Sequence, residues 1–136
     1  MIQEEKQLLL KDLCARLPYG LICRTNKGKG TLISAECSFG ENLVYVDFGY
    51  QQAEEFDLNE DDEVKPYLRP MSSMTLVERI ELKAITKGAI QTIGLEDIVV
   101  TTDKGFDYLN THHIDYRGLI EKGLALEAPK DMYKDE

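Results

Sequence analysis

The residues best equipped for chemistry lie together late in the chain: Asp107, Asn110, His112, His113, Asp115 and Arg117. A histidine beside a carboxylate can act as a general acid–base dyad, and His113 with Asp115 has that composition. The dyad forms only if the chain turns back between them. His112 and His113 are adjacent, and adjacent side chains on a helix point different ways, so the two are poorly placed to share one metal. No serine or cysteine nucleophile is attached to the group by spacing. An architectural reading covers the same residues. His112 ends a helix, where its partial charge meets the dipole, and Asp115 caps the next turn. That reading is preferred, and His112, His113 and Asp115 stand as the catalytic candidates the sequence offers. Arg69, Asp107, Asn110, Tyr116 and Arg117 are candidate interaction residues. Arg69 is expected to pair with a carboxylate of the second half and lock the segment joining the halves.

Other site chemistries find less support. Cys14, Cys23 and Cys37 form no C-x-x-C pair and lie far from the histidines, so they read as reduced, mostly buried thiols, not zinc ligands. Gln51 to Glu63 carries Glu54, Glu55, Asp57, Glu60, Asp61, Asp62 and Glu63, without the glycine and ligand order of a calcium loop. It reads as a solvated acidic loop, with room for a short strand or turn where Phe56 and Leu58 alternate with acids. Gly28 and Gly30 sit between two strand-like runs and lack the following helix of a phosphate loop. The reading calls for no metal and no cofactor.

These residues need elements to hold them. Residues 2–17 form a first helix with an apolar stripe of Leu9, Leu10, Leu13, Cys14 and Leu17, with Asp12 elsewhere, and Pro18 stops it. Strands are expected at 21–25, 31–35, 43–48 and 63–68, with turns at 26–30 and 38–42. Their spacing suggests a small antiparallel sheet or SH3-like barrel, capped by the first helix. In Lys65-Pro66-Tyr67-Leu68-Arg69-Pro70, neither proline can donate to a ladder, so this strand should lie at an edge or end there. Thr75 and Glu78 have capping-box spacing, and Leu76, Val77, Ile80 and Ala84 follow at helical spacing, predicting a helix over 75–87 closed by Gly88. Residues 89–94 are ambiguous, 98–102 form a strand, and Asp103-Lys104-Gly105 is its exit turn. A helix from Phe106 to His113 and a turn from Tyr116 to Lys122 follow, with core contacts from Leu119, Ile120, Leu124 and Leu126. Residues 129–136 should fray. The fold class is α+β: one domain with a β-rich half to residue 70, a mainly helical half over 71–128, and a tail.

Three blocks carry a resemblance: Leu13 to Gly20, Lys65 to Met74, and Phe106 to Asn110 continuing as Asp115 to Ala125. They resemble an uncharacterised family of small proteins from Bacteroides-type gut bacteria and their phages and mobile elements. The resemblance implies kinship and a phage or mobile-element setting, and it implies no activity and no catalytic residues.

The net charge of −9 argues against direct binding to nucleic acid, whose affinity comes largely from lysine and arginine meeting phosphate. No run approaches the roughly 18 apolar residues of a membrane span. The acidic start Met1-Ile2-Gln3-Glu4-Glu5 is unlike the basic start of a secretory signal. The expectation is a cytoplasmic, non-enzymatic interaction or accessory protein with a protein partner. Two alternatives remain: an acidic mimic of DNA acting on a basic protein through residues 51–63, and an enzyme using His112, His113 and Asp115.

Overall fold

The computed structural model describes residues 2–36, 40–49, 53–60, 62–86, 90–92, 98–100 and 103–133 of the chain. Its elements are α1 (Gln3–Arg16), β1 (Ile22–Thr25), β2 (Gly28–Glu36), β3 (Leu43–Asp47), β4 (Glu54–Asp57), β5 (Val64–Pro70), α2 (Leu76–Thr86), β6 (Ile90–Thr92), β7 (Ile98–Val100), α3 (Asp103–Thr111), β8 (Ile114–Asp115) and β9 (Leu126–Glu127). Cys37, the first two residues of the 38–42 turn, Gly88 and Thr101–Thr102 lie outside the described residues.

The tight turns foreseen in the first half produce an antiparallel meander. β1 pairs β2, β2 pairs β3 and β3 pairs β4, all antiparallel. The first hairpin turns more sharply than its glycines suggest. Gly28 already faces Thr25, and Gly30 sits within β2, where a Cβ would come within 2.5 Å of Val46 Cγ1 and 2.7 Å of the Asp47 carbonyl oxygen. Only glycine allows that approach.

The sheet is open, with the order β4-β3-β2-β1-β5-β8, so the expected barrel closure does not occur. A closing strand would have to pair β4, but β5 instead takes β8 and β9 as further partners, both parallel to it. β5 is therefore an inner strand, although it contains two prolines. Its ladder to β1 covers Val64 to Pro66, and its ladders to β9 and β8 cover Tyr67 to Pro70. Both prolines thus stand at the end of a ladder, where the missing N–H does least harm. The acidic stretch is not a loop throughout: Glu54–Asp57 is the edge strand β4, and Phe56 and Leu58 are buried. Its carboxylates discourage edge-to-edge pairing.

The main core lies between α1 and the sheet. Leu9, Leu10 and Leu13 of α1 meet Leu32, Val44, Val46, Phe56, Val64 and Leu68 in one cluster, which also takes in Leu119, Leu124 and Ala125 from the second half. A smaller cluster joins Met74 and Leu82 to Tyr108, Leu109 and Ile114, packing α2 on α3. α3 starts at Asp103, so the expected exit turn is its first turn. Cys14, expected on the buried stripe, is exposed, whereas Cys23 is buried, and burial raises its thiol to about 12.

Candidate functional site

Arg69 closes β5, and the expected ion pair is made with Glu78 in the first turn of α2. Nη1 donates to Glu78 Oε2 at 2.8 Å and Nη2 to Oε1 at 2.6 Å, a two-pronged geometry suited to a guanidinium. Glu78 Oε1 also accepts the Thr75 N–H at 2.9 Å, and Thr75 Oγ1 accepts the Glu78 N–H at 3.1 Å, completing the capping box. The hydrogen bond from Arg69 holds the Glu78 carboxyl down at about 2. His112 Nδ1 is 3.4 Å from Glu78 Oε2, and the His112 ring lies against Tyr108 at 4.3 Å. One carboxylate thus fixes the end of β5, the start of α2 and the end of α3.

The two histidines part company, as their adjacency requires. His113 is buried in a left-handed conformation at φ 59 just past the end of α3. Its N–H donates to the Asn110 carbonyl, and its carbonyl accepts the Arg69 N–H at 2.7 Å. Its ring stacks on Tyr133 with centroids 3.8 Å apart. Burial, with help from the nearby Arg16 charge, pushes its pKa down to about 4, so the ring is neutral. Asp115 is occupied elsewhere. Its Oδ1 accepts the Leu119 N–H at 2.9 Å and its Oδ2 the Ile120 N–H at 3.0 Å, the expected cap. No hydrogen bond joins Asp115 to either histidine among the described residues.

The remaining interaction candidates mostly face inward. Asn110 Oδ1 accepts the Tyr116 hydroxyl at 2.9 Å, and that hydroxyl accepts Arg117 Nη2 at 3.1 Å. Arg117 Nε donates to Asp12 Oδ1 at 3.1 Å. Asp107 alone stays exposed. These residues are struts between α1 and the second half, not a surface patch.

Sequence reasoning missed the other end of that strut. Asp12 and Arg16 are fully buried, joined by Nε to Oδ2 at 2.9 Å and Nη2 to Oδ1 at 3.1 Å, and Arg16 Nη2 also reaches the Ile114 carbonyl at 2.7 Å. The signal was available: residues 9, 12, 13 and 16 share one helix face, so a buried Leu9–Leu13 stripe carries Asp12 and Arg16 inward with it.

α2 departs most from expectation. Leu82 is buried and Glu78 faces Arg69, but Leu76, Val77 and Ile80 are 68%, 65% and 58% exposed, and Ala84 is exposed beside them. The stripe expected to enter the core points outward instead. Clamping Glu78 to Arg69 fixes the helix rotation, and that rotation leaves positions 76, 77, 80 and 84 on the opposite side.

Among the described residues no group of three or more His, Cys, Asp or Glu is placed to hold a metal ion. Among the same residues no helix is long and apolar enough to cross a membrane. No protein-family model, curated protein or solved structure matches the chain.

Proposed function

We propose that the chain is a non-enzymatic interaction protein that docks a partner protein on the outward face of α2. The single observation carrying this reading is the contiguous exposure of Leu76, Val77 and Ile80 on a helix whose rotation is fixed by the Arg69–Glu78 pair. Clustered exposed apolar side chains of this kind are characteristic of protein–protein contact sites. The occupant is a basic partner presenting an apolar groove or helix. A net charge of −9 steers such a partner inward and sets two copies of this chain against each other. The resemblance of the three sequence blocks supports a setting in gut bacteria or their phages and mobile elements, and a cytoplasmic location goes with it.

The acidic-mimic reading has less behind it, because the carboxylates of 54–63 are partly spoken for. Glu54 pairs with Lys27, Glu63 with Arg24, and Asp57 and Asp62 accept backbone N–H groups. A catalytic role for His112, His113 and Asp115 is set back by the separate partners of all three. A photo-crosslinking side chain at Val77 tests the docking reading. It should trap one protein in host cells, while the same probe at exposed Ile33, on the sheet, should not; equal trapping at both positions would refute the assignment.

A further inference from the structure

We propose that the gap between β1 and β5 is a slot for a phenol, filled here in cis by Tyr133 and open to a tyrosine of a partner peptide when the C-terminal strap lifts. The slot uses none of the α2 stripe, so the two proposals stand or fall separately. The β1–β5 ladder ends at Cys23 opposite Pro66. One step further, Ile22 and Tyr67 would be partners, but the Ile22 N–H and the Tyr67 carbonyl turn to a side chain instead. The Tyr133 hydroxyl sits in the resulting gap. It accepts the Ile22 N–H at 2.9 Å and donates to the Tyr67 carbonyl at 2.7 Å, with the Ile22 carbonyl 3.2 Å away. One hydroxyl therefore replaces a missing backbone rung, and the ring is held flat against His113 at 3.8 Å. A phenol is the side-chain group that offers both a stacking face and a hydroxyl able to donate and accept.

The strap carrying this group has few other holds. The Ala128 N–H donates to the Leu68 carbonyl at 2.7 Å, and beyond it residues 129–132 make no side-chain hydrogen bond or ion pair among the described residues. Pro129, Lys130 and Asp131 are exposed, and Asp131 sits at φ 74, a conformation a non-glycine residue adopts at a cost. Lifting the strap relieves that cost and removes one wall, Met132 and Tyr133, of a cleft of about 400 Å³ whose other lining includes Tyr19, Ile22, Arg69, His112 and His113. Segments with this few buried contacts open locally, well before the core does.

Chemical rescue tests the slot, and amide exchange tests the strap. In Tyr133→Ala, p-cresol should raise the melting temperature saturably, toluene should do so far less, and the full chain should respond to neither. No response, or equal response to both compounds, overturns the proposal. If Tyr133→Ala fails to fold, recovery of folding with p-cresol supports the slot and continued failure in its presence counts against it. In the unaltered protein the Ile22 amide should exchange at least 10-fold faster than the Val44 amide of the core, since strap opening alone frees it. Tyr133→Phe should speed it about 10-fold more, the equivalent of one hydrogen bond. Exchange of Ile22 in step with Val44 would mean the strap opens only on global unfolding, and would overturn the proposal.

Discussion

Arg69 and Glu78 face each other across the junction of β5 and α2, guanidinium to carboxylate, with both nitrogens engaged at 2.8 and 2.6 Å. Glu78 lies nine positions after Arg69, and the intervening turn contains Pro70 and the Met71–Ser73 3-10 turn. The pair fixes which way α2 is rotated and so which of its two apolar sides meets solvent. Glu78→Gln should cost about 1–3 kcal/mol, as loss of a charge-assisted hydrogen bond does. Thr75→Ala, which removes only the other half of the capping box, should cost about 1 kcal/mol. Urea unfolding of the two variants gives the ordering directly.

The same pair sets an acid limit. The folded pKa of Glu78, about 2, lies below its ordinary value of 4.5. Its contribution is thus complete above pH 4.5 and fades as pH falls toward 2. In Glu78→Gln this part of the stability–pH curve should flatten; an unchanged curve would dissociate the pair from acid stability.

His113 acts higher on the pH scale. Its folded pKa of about 4 lies below the ordinary 6.5, because burial and the charges of Arg16, His112 and Arg69 disfavour protonation. The unfolded chain then binds a proton that the folded chain refuses, so stability should decline between pH 6.5 and 4 and level off below. The slope is at most about 1.4 kcal/mol per pH unit. His113→Gln should remove that slope. A proton-linked slope that survives the substitution would assign it to another group.

Asp12 anchors two arginines, Arg16 and Arg117, from opposite ends of the chain. Asp12→Ala strands the fully buried Arg16 charge and should cost about 3–5 kcal/mol. Replacing Asp12 and Arg16 together with leucine and methionine should cost less than the single change, because no unpaired charge remains. Thermal unfolding of the two variants decides it.

Leu68 is completely buried in the cluster that contains Val44 and Val46 on one side and Leu119 on the other. Ile80, across the junction, points to solvent and takes no part in that cluster. Leu68→Ala should cost about 2–5 kcal/mol. Probes placed in the sheet and near Leu119 should move together in one transition; separate transitions would mean two independent units.

The elements were legible where local signals agree. The α1 stripe, the Leu43–Asp47 alternation and the Thr75–Glu78 box each specify one structure, and each forms. Three features were not legible, for three physical reasons. The inner position of β5 depends on β8 and β9, which are two residues each and too short for any periodic signal. The outward face of α2 follows from a tertiary ion pair, and periodicity alone cannot say which of two apolar sides is inside. Residues 129–136 have the composition of a frayed tail, yet Tyr133, a single side chain, carries the chain as far as that residue back to β1. Of the candidate site, the Arg69 pair and the Asp115 cap could be anticipated from spacing, and the Tyr133 partner of His113 could not, since it lies twenty positions away with no pattern linking the two.

The central claim is that α2 offers its outward apolar face to a basic partner. Leu76→Gln combined with Ile80→Gln removes that face while keeping good helix formers, and should change stability by no more than about 0.5 kcal/mol. The direct measurement compares the unaltered chain and this double variant as bait in host extract, at two salt concentrations, quantifying each recovered protein. The account predicts one basic protein held near stoichiometrically by the unaltered chain, less at high salt, and lost by the double variant despite an equal melting temperature. Recovery of the same partner in equal amount by both chains would contradict it.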